Sequence, residues 1–360
     1  MSNFIEVKNL DVQYSRGKKS IFEKEEFFKA VDNVTLSINK GKIIGLVGES
    51  GSGKSTLGKA LLGAKEFHQG SVHYHFDNGS IDLNNLSKKT LREFRSKVQL
   101  IFQDPYNSLS PRMTVRDIIA EPLESLGMTN SKSETDQKVI EIAQKCQLNI
   151  NHLNRFPHSF SGGQRQRISI ARSLIAQPEF IVADESVAAL DVSIQAGILQ
   201  LLKSLQDDMG LTIMFISHDL SVISNFCDEV AVMYLGKIVE FAPRNEIFLT
   251  PKHPYTKALL NAVPSINPHK KNIQKTLEGE IPSIYDRPNG CVFQSRCSKV
   301  IDQCRQTEPL LNKIHNFVRG LQGDPSDPEW MRGARVVATA KHFIGDGGTT
   351  AGVDQGDNVD

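Results

Sequence analysis

GESGSGKST occupies residues 48–56. It fits the spacing of a glycine, four residues, a second glycine, a lysine and a serine or threonine. In that spacing Gly48, Gly51 and Gly53 let backbone N–H groups converge on phosphate oxygens, with Glu49, Ser50 and Ser52 between them. Lys54 supplies a point charge, Ser55 a hydroxyl for Mg²⁺, and Thr56 continues into a helix whose positive end faces the same anion. The flanks agree: KIIGLVG at 42–48 is an apolar strand, and KSTLGKALLG at 54–63 has helical spacing that stops at Gly63. Strand, glycine loop and helix in one unit predict a parallel α/β nucleotide-binding core.

Further along the chain, FIVADE at 180–185 ends an apolar strand on two acids. Asp184 would join the Mg²⁺ shell, and Glu185 would orient or deprotonate the attacking water. ISHDL at 216–220 sets His218 after another apolar strand, in reach of a γ-phosphate, and IFQDP at 101–105 sets a polar Gln103 where it can meet metal or water. A second polyanion device, SFSGGQRQR, lies at 159–167, far from the first. Tyr14 offers a ring for adenine, with Phe28 as competitor because the charged insertion SRGKKSIFEKEE blurs the register.

Composition narrows the class. The 360 residues are 39% apolar and 23% charged with net charge +1, which is ordinary globular composition and argues against an electrostatic nucleic-acid or membrane-surface binder. No window approaches about 18 apolar residues and the start MSNFIEVKNL has no signal-peptide layout, so a cytoplasmic location is expected. Residues 1–47 read as sheet; TVRDIIAEPLESLG, ETDQKVIEIAQKCQL and QRISIARSLIAQ form a helical insertion over about 105–175; SIQAGILQLLKSLQDD is a further helix; EVAVMYLGKIVEFA is a hairpin turned at Gly236.

The ordered set GESGSGKST, IFQDP, SGGQRQR, VADE, ALD and ISHD resembles the ATP-binding subunit of an ATP-binding cassette (ABC) transporter. The resemblance implies a RecA-like core with an antiparallel β subdomain and a helical subdomain, and ATP hydrolysis with Mg²⁺ held by Ser55, Gln103 and Asp184. It also explains the second device. In that family two cassettes meet head to tail, so Ser161, Gly162, Gly163 and Gln164 would close over the partner's ATP, with Asp191 in the loop between cassettes. QDPYNSLSPRMTV, FPHSFSGGQRQRISIAR, DVSIQ and HPYTKALL are similar to the oligopeptide and dipeptide subset of importers. The implied partners are transmembrane permease subunits, a second ABC ATPase (identical or paralogous), an external solute-binding protein acting indirectly, and no nucleic acid. The implied place is the cytoplasmic face of the inner cell membrane, as a peripheral subunit. The alternative is a non-transport ABC ATPase acting on DNA or the ribosome. DESVAALD departs from the family pattern at Ser186, where proline is usual, and at Ala189, where serine is usual.

The expected domains are an ATP-binding domain at 1–250, a C-terminal extension at 251–312, and a tail at 313–360. GCVFQSRCSKVIDQCRQTEP at 290–309 resembles the part of the extension that can carry an iron–sulfur cluster, with Cys291, Cys297 and Cys304 as its thiolates. Four thiolates are the usual set, and no cysteine follows Cys304. In the tail, VVATAKHFIGDGGT and GVDQGD resemble an internal fragment of a family-three glycoside hydrolase, which implies a fused or joined segment that is poorly ordered and lacks the two-carboxylate site of such enzymes.

Overall fold

The computed structural model describes residues 3–17, 26–104, 106–188, 190–262, 282–285, 287–309, 348–350 and 353–355. The chain divides into two compact units. The first holds Met1–Phe248 together with Ser283–Tyr285, the second Leu249–Pro282 and Asp286–Asp360.

The first unit opens with β1 (Asn3–Ser15), β2 (Phe27–Asn39) and β3 (Ile43–Val47), then α1 (Lys54–Leu61). Next come β4 (Gln69–Phe76), β5 (Gly79–Asp82), α2 (Lys88–Lys97) and β6 (Val98–Ile101), none of them foreseen in the sequence except as a polar break at Gln103. Three helices follow, α3 (Val115–Leu126), α4 (Lys132–Lys145) and α5 (Gly162–Leu174), in the stretch expected to be helical. The unit closes with β7 (Phe180–Asp184), α6 (Val192–Met209), β8 (Thr212–Ile216), α7 (Leu220–Phe226), β9 (Glu229–Tyr234), β10 (Lys237–Pro243) and α8 (Arg244–Leu249).

Two sheets organise these elements. One is antiparallel with order β2-β1-β4-β5; the other has order β10-β9-β3-β8-β7-β6 and is parallel except for the β9–β10 hairpin. The central strands are apolar on both faces, as strands covered on both sides must be: all five residues of β3 and all five of β8 are buried. Helix α1 lies close against this sheet because Gly58 carries no side chain; a Cβ there would sit 2.9 Å from Val182 Cγ1. In the antiparallel sheet Tyr74 is fully buried among Phe4, Phe76, Phe94 and Phe180, and its hydroxyl donates to the Leu61 carbonyl at 2.8 Å. Rings of this size bury enough apolar area to contribute about 1.5–3 kcal/mol each.

In the second unit, α9 (Pro254–Asn261) starts under a buried His253 whose Nδ1 accepts from the Tyr255 N–H at 3.1 Å. Tyr255 and His253 both pack on Phe293. The Cys291 N–H donates to the Cys304 carbonyl at 2.7 Å, ahead of α10 (Asp302–Gln306) closing back on it. Gly290, at φ 74°, must be glycine there, since a Cβ would meet that carbonyl at 2.5 Å. Of the tail, only two paired three-residue strands, β11 (Gly348–Thr350) and β12 (Val353–Gln355), are described; the rest of the glycosidase-like stretch lies outside the described residues.

Candidate functional site

Because β3, β8, β7 and β6 run parallel, the loops that follow them emerge along one sheet edge. Residues far apart in sequence are thereby neighbours: the glycine loop after β3, Ser217 and His218 after β8, Asp184 and Glu185 at the end of β7, and Gln103 after β6.

The glycine loop takes its path only because two positions lack a Cβ. At Gly48 it would fall 2.1 Å from the Met233 carbonyl oxygen, and at Gly53 2.3 Å from that of Ala30. Both carry positive φ, 155° and 103°. Inside the loop Lys54 Nζ donates to the carbonyls of Gly48 and Glu49, each at 2.9 Å, and reaches Ser52 Oγ at 3.4 Å. Burial pushes the Lys54 ammonium below its ordinary range, against the pull of Glu185, Asp184 and Glu49. An anion in the loop would take over a cation that is already aimed there.

Ser55 Oγ donates to Asp184 Oδ1 at 3.0 Å, joining the start of α1 to the end of β7. Burial raises the Asp184 carboxyl above the usual range, and the Ser55 hydroxyl works in the opposite direction. Two adjacent oxygen ligands beside a phosphate loop suit Mg²⁺, which takes one or two carboxylates and completes its shell with phosphate oxygens and water.

Asp184 and Glu185 are consecutive yet serve different neighbours. Glu185 sits at φ 45°, a left-handed conformation that costs a non-glycine residue about 1–3 kcal/mol. Its N–H still bonds the Ile216 carbonyl at 3.0 Å, so the sheet holds the strained turn in place. The carboxylate is gripped on both oxygens: Gln103 Nε2 donates to Oε2 at 2.9 Å and His218 Nδ1 lies 3.5 Å from Oε1. Gln103, expected at metal or water, therefore rests on Glu185, the acid next to Asp184.

The second device is built differently. Ser161 caps α5, its hydroxyl accepting from the Gln164 N–H while the Gln164 side chain accepts from the Ser161 N–H. Gly163 packs so tightly on α6 that a Cβ would lie 2.5 Å from Ile194 Cγ2, and Asp191 is the exposed residue that starts α6. Sequence reading missed how α5 is tied to the Gln103 loop. The Arg165 guanidinium lies 4.3 Å from the Tyr106 ring centre, and Arg172 donates to the Ser108 carbonyl at 3.1 Å. The signal was there as two arginines seven apart, which two helical turns place on one face.

Tyr14 is cross-strand partner to Phe28, the rings stacked at 5.9 Å, and Lys65 Nζ stands 4.1 Å from the Tyr14 ring centre. In DESVAALD, Ser186 is buried and its hydroxyl has no hydrogen-bond partner, while Ala189 lies outside the described residues. Among the described residues no three His, Cys, Asp or Glu side chains gather to hold a metal. Burial raises the thiols of Cys291 and Cys297. Cys291 is buried and Cys297 and Cys304 are half-buried, three thiols where a four-iron cluster usually takes four. Cys146 and Cys227 are buried in the first unit.

Residues 31–188 match the ABC transporter family, and residues 239–304 match the oligopeptide/dipeptide transporter C-terminal region. The oligopeptide transport ATP-binding protein OppF of Salmonella typhimurium is 44% identical over 89% of this chain and 96% of its own length. A putative peptide import ATP-binding protein of Brucella ovis is 47% identical over 79% of this chain and 89% of its own. Among solved structures, the dimeric post-hydrolysis state of the ATP-binding cassette MJ0796 bound to ADP and Pi superimposes with TM-score 0.58 at 30% identity, over 67% of this chain and 98% of that one. CbiO1 from Clostridium perfringens gives TM-score 0.59 at 26% identity, over 69% and 92%.

Proposed function

The chain belongs to the ATP-binding subunits of ABC transporters of the oligopeptide/dipeptide type, and from that premise we propose that it hydrolyses ATP to drive uptake of peptides through separate permease subunits. The single observation that carries the site assignment is the Ser55–Asp184 hydrogen bond with Glu185 at the next position. It supports the reading by joining the Ser55 hydroxyl at the start of α1 to the Asp184 carboxylate at the end of β7, with Glu185 next in the chain.

In this reading the loop amides of 48–53 and the Lys54 ammonium bind the β- and γ-phosphates. Ser55 and Asp184 would hold Mg²⁺, with Gln103 in reach of its shell; when bound, the ion neutralises charge that develops on the phosphate oxygens. Glu185 accepts the proton of the attacking water, and His218 holds that carboxylate from the other side. Gln103 orients Glu185 through its amide and, being in the loop that Arg165 and Arg172 tie to α5, moves with the helical subdomain. Ser161, Gly162, Gly163 and Gln164 close over the ATP of a second ABC ATPase, identical or paralogous, and Asp191 lines the loop between the two. A solute-binding protein outside the cell would deliver the peptide, and the subunit would work peripherally at the cytoplasmic face of the inner membrane. No helix among the described residues is long and apolar enough to cross a membrane.

Steady-state ATP turnover by the purified chain tests the site. Lys54→Ala and Glu185→Gln should each lower it at least about 100-fold, with Glu185→Gln still binding ATP. Turnover near wild type in either variant would remove the assignment. Uptake of labelled peptides by cells carrying only the Glu185→Gln chain should stop; continued uptake would detach the subunit from peptide transport.

A further inference from the structure

The first unit contains three residues that do not belong to its continuous stretch, Ser283–Tyr285. They bring Tyr285 against the aromatic pair on β1 and β2. Its ring centre lies 4.9 Å from that of Phe28, edge to face at 71°, and Phe28 in turn stacks on Tyr14. The Arg16 guanidinium sits 4.5 Å from the centre of the Tyr285 ring, and Tyr285 remains 49% exposed. A tyrosine that served only to fill space would be buried; this one offers half of its surface in a corner already made of two rings and bordered by Arg16 and Lys65.

The corner lies beside the phosphate loop. Gly53, at the start of α1, packs on the Ala30 carbonyl, and Gly236 bridges the two segments by donating to the Ser52 carbonyl and accepting from the Asp32 N–H. Phe28 is two residues up β2 from Ala30, about 7 Å at the rise of a strand. A nucleotide whose phosphates occupy the loop therefore carries its base into this neighbourhood.

We propose that Tyr285 is a positioning residue for the purine of the bound nucleotide, completing with Tyr14 and Phe28 an aromatic corner to which the 283–285 segment contributes. The inference rests on the reading that the phosphate loop holds ATP. It makes nucleotide affinity depend on a segment that lies beyond the ATP-binding motifs.

Titration calorimetry of the full chain with MgATP and with inorganic tripolyphosphate, which has phosphates and no base, tests it. Tyr285→Ala should weaken ATP roughly 5- to 30-fold, the lower part of the range for base–aromatic stacking, and leave tripolyphosphate unchanged. Tyr285→Phe should bind ATP as wild type does, and Tyr285→Ala should raise KM for ATP without lowering kcat. Unchanged ATP affinity in Tyr285→Ala, or equal weakening of both ligands, overturns the proposal. Lys54→Ala serves as the separate control: if it weakens neither ligand, the phosphate-loop reading itself fails.

Discussion

The two stretches proposed to bind phosphate in this chain are opposites in construction. At the glycine loop Lys54 is held by carbonyls of its own loop, while Asp184 is held by Ser55 and Glu185 by Gln103 and His218 from other parts of the sheet edge. At Ser161–Gln164 there is no titratable side chain, only a helix start that caps itself. The first can bind, polarise and move a proton. The second offers only uncharged donors such as N–H and hydroxyl groups, so in the proposed reading each would suit one side of a site shared by two subunits.

Blocking the second device should have the largest effect. In a Glu185→Gln background, ATP should produce a dimer by light scattering; adding Ser161→Arg should abolish it while ATP binding persists. A dimer that survives Ser161→Arg would break the comparison, and a Glu185→Gln chain that stays monomeric with ATP bound would point to a paralogous partner. Next in size is packing. Gly163→Ala should cost about 1–3 kcal/mol in chemical denaturation, the usual penalty of overpacking, and Ile194→Ala in the same chain should recover part of it because the clash is with that side chain.

The pH profile sharpens the contrast because only one device titrates. Burial raises Asp184, so its charge is lost sooner as pH falls; burial lowers Lys54, so its charge is lost sooner as pH rises. The plateau of kcat/KM for ATP should therefore be narrower on both sides than ordinary carboxylate and lysine values allow, and a profile as wide as those values would contradict the buried pairing. The smallest effect is at Ser186. Replacing it by alanine removes a buried hydroxyl without a partner, so stability should hold or rise by up to about 1 kcal/mol; a clear loss would show that the hydroxyl is used.

Much of this was legible in the chain itself. Gly48–Thr56 could be read because its geometry is local: glycines, lysine and serine act within nine residues. The apolar strands ending at Asp184 and before His218 were legible from their continuous hydrophobicity. The stretch between Gly63 and Gln103 was not, because β4, β5 and α2 are short and partly exposed, and Tyr74 is recognisable as a core residue only once Phe4, Phe94 and Phe180 surround it. Nor could Tyr285 be foreseen, lying in the stretch read as extension.

The residue types suited to the chemistry are written in short local spacings, since phosphate, metal and proton each demand a particular side chain. Their pairings arise from the fold. The parallel order β3-β8-β7-β6 places four distant loops on one edge, and the left-handed turn at Glu185 separates two neighbouring acids between Ser55 and Gln103. Those contacts join residues 129 and 82 positions apart and depend on strand order and backbone direction, which no local spacing encodes.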